Sequence, residues 1–189
     1  MSEPTMHVEQ ATAVLREEAG DAIAVLTMSP MAFWGEPRPL DFRLLGTMGA
    51  AASIGLGIAL GTADRPVWVI DGDGSLLMQL GVLAAVADAA PDNFVHVLVD
   101  NGIYAISGAQ PTPAPRDWAA LFSAAGYRDA VECETPDEVR AALRRDAPGP
   151  RALVLRCLRE RPAYAPGALQ AEPAHEAAQI RDGLAGARV

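Results

Sequence analysis

The sequence contains no lysine, because all fifteen of its basic residues are arginine. The phosphate-binding loop of NTPases and the pyridoxal phosphate site both depend on a lysine side chain. The absence of lysine therefore excludes these two common cofactor chemistries. Aromatic residues are also scarce, at 5% of the chain, whereas half of the residues are apolar. This composition is typical of a globular protein whose core is built from small aliphatic side chains.

Positive charge and long apolar runs are lacking as well. The net charge of -9 argues against a nucleic-acid partner, since binding to the phosphate backbone needs clustered basic residues. No window approaches 18 uninterrupted apolar residues, and the first residues do not resemble a signal peptide. We therefore expect no membrane association and a cytoplasmic location. The two cysteines, Cys133 and Cys157, form no CxxC pair, and we interpret them as reduced, buried thiols.

The apolar residues alternate between strand-like and helix-like periods along the chain. Strands are predicted at residues 22–26, 67–70, 94–99, 128–133 and 152–158. Helices are predicted at residues 8–18, 48–60, 75–90, 117–125 and 137–145, and a loop at 29–39. Strands that alternate with helices indicate an α/β fold with a doubly wound, mainly parallel sheet and helices on both faces.

The length of the chain fits one domain better than two. We assign residues 1–160 to this domain. Residues 161–189 are rich in Ala, Pro and Gly and show only a weak helical period at 174–184. We interpret this stretch as a tail, or as an arm that binds a partner.

Polar residues suited to a metal and to phosphates follow two consecutive strands of the predicted sheet. Ligands of open parallel sheets bind beyond the carboxyl ends of the strands. Asp73 offers a carboxylate oxygen after one strand, and Asn101 offers an amide oxygen after the next, a combination suited to Mg²⁺. Gly74 and Ser75 open a helix, so their free backbone N–H groups can face an anion. These residues together predict a site for a metal-bridged diphosphate.

Three segments of this region resemble one enzyme family. The run Gly72-Asp73-Gly74, with 26 residues between it and Asn101, resembles the cofactor motif of thiamine diphosphate enzymes. Upstream, LGTMGAAASIGLGIAL at 45–60 is similar to the segment before that motif in acetolactate synthases and other 2-oxo acid decarboxylases. Downstream, DNGIYAISGAQPT at 100–112 looks most like the small subunit of sulfopyruvate decarboxylase and the matching part of phosphonopyruvate decarboxylase.

The resemblance implies two cofactors, thiamine diphosphate and Mg²⁺. Asp73 and Asn101 would bind the metal through their side chains, and Ile103 through its backbone carbonyl. Gly46 would accept a hydrogen bond from the aminopyrimidine, and Met48 would support the bent cofactor. The full set of implied cofactor-binding residues is Gly46, Thr47, Met48, Gly72, Asp73, Gly74, Ser75, Asn101, Ile103 and Tyr104.

One part of the family's active site is missing from the sequence. The Glu that activates the cofactor lies in a separate pyrimidine-binding domain of similar size, for which 189 residues leave no room. The resemblance thus implies the β subunit of a two-component 2-oxo acid decarboxylase, of the sulfopyruvate or phosphonopyruvate type, with no catalytic side chain of its own. The partner would be a pyrimidine-binding α subunit, in a dimer of heterodimers or a larger hetero-oligomer acting on a small 2-oxo acid.

Two other functions remain open. An acetolactate synthase-like carboligase would use the same cofactor residues, and a non-catalytic scaffold subunit would keep only the fold. Gly55, Gly57 and Gly61 imitate a dinucleotide-binding fingerprint, but they fall inside a predicted helix, so we interpret them as helix-packing residues. His96 lies within a predicted buried strand and is interpreted as a core residue. Tyr104, Ser107 and Gln110 could line a substrate pocket or contact the partner.

Overall fold

Six strands and eight α-helices make up the part of the chain that the computed structural model describes, which is residues 4–62, 64–113, 115, 117–165, 169 and 172–186. The strands are β1 (Ile23–Thr27), β2 (Asp41–Leu44), β3 (Val67–Gly72), β4 (Phe94–Asp100), β5 (Asp129–Cys133) and β6 (Arg151–Arg156). The helices are α1 (Val8–Glu18), α2 (Met28–Phe33), α3 (Ala51–Gly61), α4 (Asp73–Leu76), α5 (Val82–Ala89), α6 (Trp118–Ala125), α7 (Pro136–Leu143) and α8 (Pro173–Gly186). None of these helices is long and apolar enough to cross a membrane.

The strands form one sheet in the order β2-β1-β3-β4-β6-β5, and every neighbouring pair is parallel. β3 and β4 lie at its centre and are buried along nearly their whole length. Burial on both faces explains why their sequences are continuous apolar runs rather than alternating ones. The predicted α/β fold with a mainly parallel sheet is confirmed.

Helices cover both faces of the sheet, as predicted. Successive strand residues point to opposite faces, so Val97 of β4 joins the core under α1 and α7. Its neighbour Leu98 joins the core under α3, α5 and α6. Cys133 and Cys157 are buried free thiols, which confirms their interpretation, and burial raises the pKa of the Cys133 thiol to about 12.

The predicted loop at residues 29–39 is wrong at its start, where α2 occupies Met28–Phe33. Pro30 is compatible with this helix because it lies in the first turn, where backbone N–H groups have no helical partner. Strand β2, at the edge of the sheet, was not predicted from the sequence. Its four residues alternate between charged and apolar side chains, the shortest run that indicates a strand. Asp41 is nevertheless buried, and its carboxylate accepts hydrogen bonds from Trp34 Nε1 at 2.7 Å and from Arg38 Nε at 2.8 Å.

The single helix predicted at residues 75–90 is divided in the structure. α4 is followed by a 3-10 turn at Leu77–Gln79, and α5 begins only at Val82. The division lets Met78 and Gln79 approach the backbone at Gly49, where an added Cβ would lie 3.1 Å from both of their Cβ atoms. Gly81, a poor helix former, directly precedes α5.

Helix α8 confirms the weak helical period at 174–184, and it packs against the edge strand β2. Ile180 is buried, and Leu184 packs in the same core together with Leu40 and Phe42. Residues 166–168, 170–171 and 187–189 of the predicted tail lie outside the described part of the chain.

Candidate functional site

A cavity of about 250 Å³ opens at the carboxyl edge of the sheet. Its walls come from the segments that follow four adjacent strands, β2, β1, β3 and β4. Parallel strands end at the same edge, so residues far apart in sequence meet there without any long connection.

The cavity gathers nearly all of the residues predicted to bind the cofactor. Those that line it are Gly46, Met48, Gly72, Asp73, Gly74, Ser75, Asn101, Ile103 and Tyr104. Thr47 is the exception, since it does not line the cavity and is exposed. Of the three residues considered for a substrate pocket, Tyr104 and Ser107 line the cavity and Gln110 does not.

Several cavity residues were not predicted from the sequence. Met28, Ser29 and Pro30 follow β1, and their position beside β3 depends on a strand order that the sequence does not state. Met28 has a positive φ of 56°, a backbone conformation that non-glycine residues adopt rarely and often at functional sites. Leu45 and Ile106 add apolar side chains at the wall.

Asp73 is a buried carboxylate, 2% exposed. The Thr112 hydroxyl donates a 2.6 Å hydrogen bond to its Oδ2. Burial raises the pKa of Asp73 to about 6, and the hydrogen bond from Thr112 partly offsets that rise. Thr112 was not predicted to belong to the site, because the contact requires the chain after β4 to fold back on itself.

The loop after β4 carries the other predicted metal ligands. Asn101 is buried, and its Oδ1 accepts a 3.3 Å hydrogen bond from the Ile103 N–H. The Ile103 carbonyl accepts from the Ala105 N–H at 3.0 Å, which leaves it a second lone pair. Thr112 closes the loop, since its N–H donates to the Gly102 carbonyl.

The available donors fit a Mg²⁺ ion. A carboxylate, an amide oxygen and a backbone carbonyl are hard oxygen ligands. Buried carboxylates usually have a cationic partner, but the groups that reach Asp73 are a hydroxyl and backbone N–H groups. No group of three His, Cys, Asp or Glu side chains gathers among the described residues, so a metal here would also need amide and carbonyl oxygens.

The turn between β3 and α4 is shaped by close packing. An added Cβ on Gly74 would lie 2.6 Å from the Tyr104 ring, so glycine is required for the ring to cover the turn. Gly46 is different, since it has a φ of +74° and nothing within 4 Å of its Cβ position. Its backbone conformation, rather than crowding, favours glycine there.

Ser75 links two walls of the cavity. Its Oγ accepts a 3.0 Å hydrogen bond from the Gly49 N–H. The Ser75 hydroxyl therefore joins the segment after β2 to the turn after β3, a role not predicted from the sequence. Asp71, at the end of β3, is fully buried, and burial raises its pKa to about 7 although the Gly72 N–H donates a 2.9 Å hydrogen bond to its Oδ1.

His96 lies outside this site. It is buried within β4, and its Nδ1 is 3.0 Å from the Tyr127 hydroxyl. Its neighbours are the aromatic rings of Phe94 and Phe122. This environment confirms that it is a core residue.

Comparisons with known sequences point in one direction. Residues 24–157 match the family described as thiamine pyrophosphate enzyme, C-terminal TPP binding domain. A phosphonopyruvate decarboxylase of Streptomyces hygroscopicus is 47% identical over 109 residues, which cover 57% of this chain and 27% of the relative. A sulfopyruvate decarboxylase subunit beta of Methanococcus maripaludis is 38% identical over 135 residues, which cover 69% of this chain and 72% of the relative.

The chain spans only part of several relatives. The match to the sulfopyruvate decarboxylase subunit beta of Methanothermobacter thermautotrophicus, at 48% identity, covers 48% of that protein. Among solved structures, a putative thiamin diphosphate-dependent enzyme from Mycobacterium smegmatis superposes with a TM-score of 0.67 at 25% identity, covering 81% of this chain and 32% of that one. The benzoylformate decarboxylase of Polynucleobacter necessarius gives 0.66 at 18% identity, over 84% of this chain and 36% of that one, and supports the fold alone.

Proposed function

The chain belongs to the thiamine pyrophosphate enzymes, as their C-terminal cofactor-binding domain, and from this premise we propose that it is the β subunit of a two-component 2-oxo acid decarboxylase. The observation that carries the proposal is the cavity at the carboxyl edge of the sheet. It brings Asp73 and Asn101 together with Gly46 and Met48, in agreement with the roles that the family resemblance gives them.

Different cavity residues would bind different parts of the cofactor. Asp73 and Asn101 would bind Mg²⁺ through their side chains, and Ile103 through its carbonyl. The backbone of Gly74 and Ser75 would face the diphosphate at the start of α4. When bound, thiamine diphosphate supplies the electron sink that allows a 2-oxo acid to lose carbon dioxide. The chain's own residues hold and orient the cofactor, and we assign this role to the predicted domain of residues 1–160, against which α8 packs.

A partner subunit would cover the mouth of the cavity and supply the activating Glu. Three large apolar side chains stay exposed there, and we call them the apolar rim: Leu45, Met78 and Ile106. Leu45 and Ile106 line the cavity, and Met78 adjoins Gly49 next to it. Exposed apolar patches around a pocket mark interaction surfaces. The relatives named as subunit beta also support a second, α-type subunit.

The proposal is tested by binding of thiamine diphosphate with Mg²⁺ to this chain co-expressed with its pyrimidine-domain partner. Calorimetry would compare the wild type with Asp73→Asn, which keeps the shape of the side chain but removes its charge. We expect Mg²⁺-dependent binding that Asp73→Asn weakens about 100-fold, the upper end of the losses typical for groups that support a metal site. Asp88→Asn is the matched control, since Asp88 is exposed on α5, and it should bind like the wild type.

A well-folded complex that binds no thiamine diphosphate would contradict the proposal and favour a scaffold. If the cofactor binds, release of carbon dioxide from 2-oxo acids, with sulfopyruvate and phosphonopyruvate tested first, identifies the reaction. Products longer than the substrate would instead identify a carboligase. The chain purified alone should release no carbon dioxide, because the activating Glu belongs to the partner.

A further inference from the structure

Strand β2 leads directly into the cofactor cavity. It ends at Leu44, and the next residues, Leu45, Gly46 and Met48, line the cavity wall. Within the described chain, the segment 45–48 makes one backbone hydrogen bond outside regular elements, from Ala50 N–H to the Thr47 carbonyl at 3.4 Å. The segment is anchored at its far end by the Gly49 N–H, which donates to Ser75 Oγ at 3.0 Å, and at its near end by the strand that precedes it.

β2 is an edge strand of four residues, paired only with β1. Short edge strands leave a row of backbone N–H and C=O groups without a strand partner. In this protein the outward N–H of Arg43 is not left open, because it donates a 2.5 Å hydrogen bond to Glu176 Oε2. Helix α8 thus supplies a side-chain acceptor where another strand would supply a carbonyl.

Glu176 binds β2 through both of its carboxylate oxygens. Besides the backbone hydrogen bond, the Arg43 guanidinium contacts Glu176 Oε1 through Nε at 2.8 Å and through Nη2 at 2.7 Å. Glu176 is 2% exposed. The Glu172 N–H also donates to Oε1 at 3.4 Å. A buried carboxylate that accepts charge-assisted hydrogen bonds in this way fixes its partner more firmly than a solvated ion pair does.

Apolar contacts continue the same attachment along α8. Ile180 is buried in the core that includes Leu44. The Cβ position of Gly183 lies 3.4 Å from Leu40 Cδ2, so the helix approaches the chain just before β2. At the other end of the strand, the Thr27 hydroxyl donates to the Leu44 carbonyl at 3.1 Å. Contacts therefore hold β2 at Leu40 just before the strand, at Arg43 within it and at Leu44 at its end.

We propose that Glu176 is a positioning residue, through which helix α8 fixes β2 and thereby the cofactor-binding segment 45–48. The proposal rests on the function proposed above, because that function gives the segment its ligand. It predicts that weakening the contact loosens the segment and lowers cofactor affinity. Turnover at saturating cofactor should change little, since Glu176 does not line the cavity.

The test variant is Glu176→Gln, which keeps the length of the side chain but removes the charge that binds Arg43. The matched control is Glu18→Gln. Glu18, the last residue of α1, contacts the Arg144 guanidinium at 2.7 and 2.9 Å and the Arg140 guanidinium at 3.3 Å. Glu18 does not line the cavity, so its variant reports the effect of losing Arg–carboxylate contacts elsewhere in the fold.

Hydrogen exchange of the chain without cofactor is the first measurement. Glu176→Gln should raise exchange in residues 42–50 about tenfold, while Glu18→Gln should leave these residues unchanged. Cofactor titration of the complex with its partner is the second measurement. Glu176→Gln should weaken thiamine diphosphate binding about tenfold, the lower end of the effect of losing a supporting group, with kcat at saturation nearly unchanged.

Equal changes in the two variants, or none in either, would overturn the positioning role and leave α8 as a structural cover. A wild-type complex that binds no cofactor would instead overturn the proposed function, and the exchange data alone would then decide whether Glu176 fixes the segment. If Glu176→Gln does not fold, Arg43→Lys takes its place under the same criteria, because lysine keeps the charge but loses the two-pronged contact.

Discussion

His96 shows how a single buried side chain links pH to folding. It is completely buried in β4, and burial lowers its pKa to about 3. In the unfolded chain a histidine titrates near pH 6.5. The unfolded state therefore takes up a proton below that pH, whereas the folded state stays neutral down to about pH 3. The contribution of His96 to stability is complete above pH 6.5 and is lost as the pH falls.

We expect the protonation of His96 in the unfolded chain to lower the free energy of unfolding by about 2 kcal/mol when the pH falls from 7 to 5. Urea denaturation at both pH values measures this loss. The comparison is between Tyr127→Phe and the double variant His96→Met with Tyr127→Phe, so that neither protein leaves the Tyr127 hydroxyl without its partner. The single variant should keep the pH-dependent loss, and the double variant should lack it.

Only the difference between these two variants isolates His96. The raised pKa values of Asp71 and Asp73 act in the opposite direction, because carboxyls that bind protons more tightly in the folded state add stability as the pH falls. Equal pH dependence in the two variants would mean that His96 takes up its proton at the same pH in the folded and unfolded states, contrary to its buried environment.

The sequence predicted those residues of the candidate site that belong to a recognisable motif. Asp73, Gly74 and Asn101 lie in such a motif after a strand, whereas Met28, which directly follows β1, does not. Thr112 and Asp71 could not be found in this way. Thr112 reaches Asp73 only through the fold of the loop after β4, and Asp71 looks like an ordinary turn residue until its burial is known.

At the scale of elements, the glycines of α3 illustrate what a sequence pattern leaves open. The helix contains Gly55 and Gly57 two residues apart. A Cβ on Gly55 would lie 2.1 Å from Val69 Cγ2, whereas nothing lies within 4 Å of the Cβ position of Gly57. The helix-packing interpretation is therefore confirmed for Gly55 and not for Gly57 or Gly61, which also has open space around it.

Replacing Gly55 or Gly57 by alanine should change the free energy of unfolding in opposite directions. Gly55→Ala should lower the free energy of unfolding by about 1–3 kcal/mol, the usual cost of overpacking a core. Gly57→Ala should raise it by up to about 1 kcal/mol, because alanine favours the helix and meets no neighbour. Urea denaturation of the chain alone measures both, and a loss in both variants would contradict the packing seen around Gly57.

Elements with strong local signals were the predictable ones. Helix α7 begins at Pro136, one residue before its predicted start, and the Thr135 hydroxyl caps it by accepting from the Glu138 N–H. β2 was not predicted, because its alternation of charged and apolar residues extends over only four positions, the shortest run that indicates a strand. Its stability comes from contacts distant in sequence, with β1 and α8, and from the hydrogen bonds that Arg38 and Trp34 donate to Asp41.

At the scale of the whole molecule, exposed apolar side chains are distributed unevenly. Leu45 and Ile106 of the apolar rim line the cavity and Met78 adjoins Gly49 beside it, whereas Leu60, which is 61% exposed, lies elsewhere. Leu60 lies near the start of β4, because the Asn93 side chain donates hydrogen bonds to the carbonyls of Ala59 and Thr62, which flank Leu60. It is therefore at the amino edge of the sheet, opposite the cavity.

This difference provides a test of the partner interface. Met78→Glu should weaken binding of the pyrimidine-domain partner at least about tenfold, since a charge buried at an interface centre removes a contact and leaves itself unpaired. Leu60→Glu is the matched control and should have little effect. Analytical ultracentrifugation of the two proteins measures both dissociation constants, and equal weakening would show that the partner does not bind over the apolar rim.

The attachment of α8 to β2 also determines when β2 can form its final contacts during synthesis of the chain. Arg43 and Glu176 are 133 residues apart, so the ribosome must synthesise most of the chain between them. At the usual 5–20 residues per second this takes roughly 7–27 seconds. During that interval the central strands can already pair in the nascent chain, while the outward edge of β2 stays open. The wall of the cavity that follows β2 is therefore fastened only after α8 has been synthesised, well after the central strands.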